Sequence, residues 1–250
     1  AAAAALVLTC LFRMYFQARS ALDPGDAFTW GSVTDWFGGV SSWGGRWAMQ
    51  TTAAVALVVG FGLARAGRAG WVMASAAAGA SVLTEPLTGH AVEHAWGVAA
   101  GLALHALHLL GGGVWLGTLF VLLVTALGAT RGEFRQERER VVAALVHAYS
   151  PLALAGAGTA VGLGIVLAWL DLGSLAALWT TSYGRALLVK VLLLTGVGAL
   201  GAYNWLRVRP ALGAEPGARR LSVSATTELI IGALLLATTA VLVALPAPAL

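Results

Sequence analysis

Four of the five histidines in this chain, His90, His94, His105 and His108, fall between positions 90 and 108. Imidazole nitrogen is a ligand for Cu(II), Zn and Ni, whereas soft sulfur suits Cu(I). At 100° per residue, the eleven steps from His94 to His105 leave about 20° of net rotation, and the fourteen to His108 about −40°. His90 and Trp115 fall within about 60° of His94 on the same helical count. An unbroken helix would therefore present four imidazoles and an indole on one stripe. His105 and His108, one turn apart, are spaced to share a metal ion. Glu93 is placed to add an oxygen ligand or to orient a histidine by accepting its second N–H. The plainer reading of any one of these is a hydrogen-bonded packing histidine, and four on one face weigh against it. His147, two residues from Tyr149, stands apart and fits the plainer role.

Other polar side chains interrupt apolar sequence. Tyr183, Arg185 and Lys190 open one apolar segment, where the two bases could pair with Asp171 or Glu93, bind an anion, or extend to the membrane surface. Glu228 sits about six residues into the last segment, and an acid at that depth is expected to be neutral or matched to a base such as Arg207. Asn204 shares the same two roles, helix locking or part of an ion path. The run RGEFRQERER (131–140) mixes signs at helical spacing and reads as a solvated helical extension, with a lipid-headgroup contact as the alternative. No GxSxG, phosphate-cradling glycine loop or HExxH occurs, so nucleophilic catalysis is not expected and the chain does not read as an enzyme.

What must position these residues is set by composition. The chain has 250 residues, 59% apolar and only 10% charged, against roughly 25% charged in an average soluble domain. A hydrocarbon core of about 30 Å needs roughly 20 apolar residues per helix. Segments of that kind lie at about 1–18, 47–64, 70–87, 97–127, 142–170, 184–206 and 222–245. The expected fold is all-α, a polytopic transmembrane helix bundle of about seven spanning helices forming one domain over 1–250. Gly158 and Gly162, with alanines beside them, predict a small-residue packing stripe on the fifth span. The single cysteine, Cys10, excludes an internal disulfide and a cysteine-based metal cluster. Arg13 lies inside the first apolar run, which argues against a secretory signal there, and an opening Ala1 in place of Met reads as a fragment, a processed product or a start that is missing.

The loops carry a topology. Arg65 and Arg68, then Arg131, Arg135, Arg138 and Arg140, then Arg207, Arg209, Arg219 and Arg220 put ten of the 15 bases in every second loop. The positive-inside bias makes those loops cytoplasmic. The N-terminus is then cytoplasmic and the C-terminus periplasmic. The net charge of +4 reports this asymmetry, and no nucleic-acid partner is implied.

Three stretches carry a resemblance. LTGHAVEHAW with LHALHLLGGGVWLGTL (87–96 and 104–119) joins a Gly-His-Ala segment to a helix of His, small residues and Trp-x-Gly. LWTTSYGRALLVKVLLL with AYNWLRVRPAL (178–194 and 202–212), and TTELIIGALLLATTAVLVALPAP (226–248), follow in order, with WGGRW (43–47) ahead of them. Together they resemble the CopD family of bacterial copper-resistance and copper-uptake proteins of the inner membrane. The resemblance implies movement of copper between periplasm and cytoplasm, alongside a small periplasmic copper-binding partner. Position by position, His90, His108 and Trp115 match best, then Tyr183, Arg185, Lys190 and Glu228; His94 and His105 come from the helical stripe. The chain departs from the family at HAYSP (147–151), and its methionines, Met14, Met49 and Met73, form no thioether ladder. Two other functions compete: a structural subunit of a larger respiratory or photosynthetic membrane complex, and a haem b electron carrier ligated by His108 and His147.

Overall fold

The computed structural model describes residues 2–20, 22, 29–31, 42–89, 97–128, 135–208 and 215–249. Among them there is no strand, and the long helices are α1 (Ala2–Ser20), α2 (Ser42–Leu63), α3 (Arg68–Thr84), α4 (Val98–Gly128), α5 (Arg135–Leu172), α6 (Ser182–Tyr203) and α7 (Glu215–Ala244). This is the expected all-α architecture. Four of the helices contain stretches long and apolar enough to cross a membrane: Val98–Val124, Ala144–Leu172, Ser182–Arg207 and Thr226–Ala244. The other three are shorter or more polar. Arg13 and Arg19 lie in α1, Arg46 and Gln50 in α2, and α3 has 17 residues. Large apolar side chains point outward on the four spans, with Ile165 66% exposed, Leu192 73% and Leu236 61%. Apolar surface on this scale needs a lipid solvent. The protein is an integral membrane protein.

The helices fall into two units, Ala1–Ala106 and Leu107–Leu250. In the first, α2 and α3 form a hairpin. Gly67 turns it at φ 154°, a conformation glycine adopts without strain. A Cβ on Gly60 would fall 2.6 Å from the backbone nitrogen of Ala74, so only glycine permits the approach. Helix α1 is tied to α2 where Trp47 Nε1 donates to the carbonyl of Cys10 at 2.8 Å. A 3₁₀ turn, Glu85–Thr88, follows α3 and is held by two arginines. Arg13 Nη2 donates to the Thr88 carbonyl at 2.8 Å and Arg46 Nη1 to the Leu87 carbonyl at 2.9 Å, while Arg13 also pairs with Glu85 at 3.6 Å.

In the second unit, α4 and α5 meet on a face of small residues. A Cβ on Gly111 would stand 2.8 Å from the Gly156 carbonyl oxygen, and one on Gly156 would stand 2.8 Å from the Gly111 carbonyl oxygen. This corrects the expected stripe. Gly158 and Gly162 are exposed with open space in front of them, and Gly156, Ala160 and Gly164 make the contact instead. Both series keep the four-residue repeat, and a two-residue offset turns the packed face by about 160°. Helix α6 begins at Thr181, whose Oγ1 accepts from the Gly184 N–H at 2.9 Å as an N-cap. Beyond Tyr203 it continues as a π-helical turn, Asn204–Val208. Near its start, Tyr183 and Leu187 pack with Leu172, Leu242 and Ala247 in a buried apolar cluster.

Candidate functional site

Helix α4 carries two of the predicted ligands. His105 Nδ1 lies 2.9 Å from the carbonyl of Gly101, one turn earlier on the same helix. His108 Nδ1 lies 2.7 Å from the carbonyl of Ala160 on α5. A carbonyl only accepts, so each Nδ1 is the donor. In a neutral ring, Nε2 is then the nitrogen with a lone pair. Gly164 gives His108 its room, since a Cβ there would come within 3.0 Å of the imidazole. His90, Glu93 and His94 lie outside the described residues. Among the described residues no three His, Cys, Asp or Glu gather closely enough to hold a metal ion. His147 is exposed on α5.

Tyr183, Arg185 and Lys190 do not form one group. Tyr183 is buried and its hydroxyl donates to Asp171 Oδ2 at 2.8 Å. Asp171, one residue past the apolar segment expected at about 142–170, lies in the last turn of α5 as a buried acceptor, 7% exposed. Lys190 is half-buried two turns further along α6, within electrostatic reach of Asp171. Arg185 points outward.

The last predicted residue anchors a network that the sequence only hinted at. Ser224 Oγ donates to Asn204 Oδ1 at 2.6 Å, and Asn204 Nδ2 donates to Glu228 Oε1 at 2.5 Å. Ser224 and Glu228 are one turn apart on α7, and Asn204 opens the π-helical turn of α6 that faces them. Sequence reading singled out Asn204 and Glu228 separately and passed over Ser224; the signal available was its i, i+4 spacing to Glu228. Glu228 and Asn204 also line a half-open cavity of about 530 Å³, which Trp115 and Thr118 of α4 and Tyr149 and Ser150 of α5 line as well. Trp115 and Glu228 thus meet at one space.

The region that builds this network matches a known family. Residues 143–242 match the family described as copper resistance protein D. They belong to the CopD family. The CopD region holds Tyr183, Arg185, Lys190, Asn204 and Glu228, whereas His105, His108 and Trp115 precede it. A curated relative, copper transport protein CutJ of Bacillus subtilis (strain 168), is 32% identical over 171 residues. That alignment takes in 67% of this chain, which spans 29% of the relative's length. No solved structure matches the chain.

Proposed function

We propose that residues 1–250 work as one transmembrane domain that moves copper across a bacterial inner membrane. His90, His94, His105 and His108 supply the ligands, and Glu93 supports them. The ion enters from the periplasmic side, handed over by a small periplasmic copper-binding protein. The N-terminus faces the cytoplasm and the C-terminus the periplasm, by the distribution of arginines among the loops. The observation that carries the reading is the bond from His108 Nδ1 to the Ala160 carbonyl. A second-shell acceptor of this kind orients an imidazole and raises the basicity of the opposite nitrogen. Support at the family level comes from the CopD match and from a relative named as a copper transport protein.

The test is copper content by elemental analysis of the gently purified chain, together with copper uptake by cells expressing it. His90→Ala and His108→Ala are each expected to lower both at least about tenfold, the scale seen when a metal's immediate surroundings are damaged. His147→Ala, on an exposed position, is expected to leave both unchanged. Unaltered copper in the two ligand variants would refute the proposal.

A second reading has its own support. Gly158 and Gly162 present an open small-residue face on α5, the kind of surface on which another membrane helix docks. A structural subunit of a larger respiratory or photosynthetic complex would use it, co-purifying with that complex and holding no copper.

A further inference from the structure

The network at Glu228 does more than a helix lock requires. A glutamine would take the same hydrogen bond from Asn204 and join α6 to α7 as well, without bringing an ionisable group to membrane depth. Glu228 is 8% exposed and is among the residues that line the cavity. Asn204 engages one carboxyl oxygen, and the amide's orientation is set by Ser224 donating to its own oxygen. Oε1 is therefore held as an acceptor, and a proton that joins the carboxyl goes to Oε2. The cavity of about 530 Å³ is large enough to admit water to that oxygen.

No Lys, Arg or His lines that space among the described residues. The titratable side chains on its walls are Glu228 from α7 and Tyr149 from α5; α4 contributes Trp115 and Thr118, and α6 contributes Asn204. An acid with no base lining its cavity among the described residues, one oxygen fixed and the other free to face that cavity, is arranged to take up and release a proton. An ion-pair lock would look different. The adjoining π-helical turn, Asn204–Val208, departs from regular helix at the point where such an exchange would be coupled to movement of α6, and turns of this kind recur at functional positions.

We infer that Glu228 is a proton-exchange site, taking a proton onto Oε2 from water in the cavity and returning it there. This goes beyond copper binding and stands on different residues.

The experiment uses the full chain in lipid vesicles, without copper. Infrared difference spectra between pH 6 and pH 9 are expected to show a protonated-carboxyl band that is lost in Glu228→Gln. A hydrophobic carbodiimide, which couples to protonated acids, is expected to label Glu228 of the unaltered chain at pH 6 and not at pH 9, as read by peptide mass. That second readout needs no variant and holds if Glu228→Gln fails to fold. A band unchanged by Glu228→Gln, or a Glu228 that stays unlabelled at pH 6, overturns the inference. A chain that shows the band here but holds no copper when gently purified from cells refutes the copper proposal alone; copper uptake by cells with neither band nor label here refutes this one alone.

Discussion

Single residues in this protein are expensive where they are polar, because lipid offers no replacement hydrogen bond. Tyr183 and Asp171 illustrate it. The hydroxyl donates to Asp171 Oδ2 at 2.8 Å, and both residues are buried. Tyr183→Phe keeps the ring in its apolar cluster and removes the donor. It is expected to lower stability by about 1–3 kcal/mol, the scale of taking a donor away from a buried acceptor. Thermal unfolding of the detergent-solubilised chain would measure it, and an unchanged midpoint would show that the contact carries no weight. The histidines follow the same logic. His105 and His108 each direct Nδ1 to a different carbonyl, one on their own helix and one on α5.

At the scale of elements, the contact between α4 and α5 depends on which glycines face inward. Gly111 and Gly156 leave no space for a Cβ against the opposing backbone. Gly111→Leu or Gly156→Leu should therefore force the helices apart, at a cost of about 1–3 kcal/mol or more for overpacking. Gly158→Ala and Gly162→Ala face open space and should stay within about 0.5 kcal/mol of the parent. Chemical or thermal unfolding of the four variants distinguishes the two faces. Equal effects would mean that the packed face has been misassigned.

For the whole molecule, the consequence to test is sidedness. Ten of the 15 bases occupy alternate loops, and the orientation this favours puts residue 129 in the cytoplasm and residue 249 in the periplasm. In a Cys10→Ser background, an impermeant thiol reagent added to intact spheroplasts is expected to label Ala249→Cys and to spare Ala129→Cys. The reverse pattern would invert the topology, and with it the direction of the proposed copper route.

The amino-acid sequence alone determined the helical class, the approximate limits of the long helices and the lipid environment. These follow from local properties: apolar length, charge depletion and the 3.6-residue period are all present within one segment. It also brought Trp115, Tyr183 and Glu228 to notice, because a polar or amphipathic side chain in an apolar run is visible without knowing its neighbours. The tertiary structure decided which partners they have. That Glu228 meets Asn204 and Ser224 at a cavity shared with Trp115, that Asp171 turns inward to Tyr183, and that Gly156 rather than Gly158 packs on α4 all depend on helix rotation and register. A rotation of one residue changes a helix's facing side by 100° while leaving its composition untouched, so only packing between helices could choose among them.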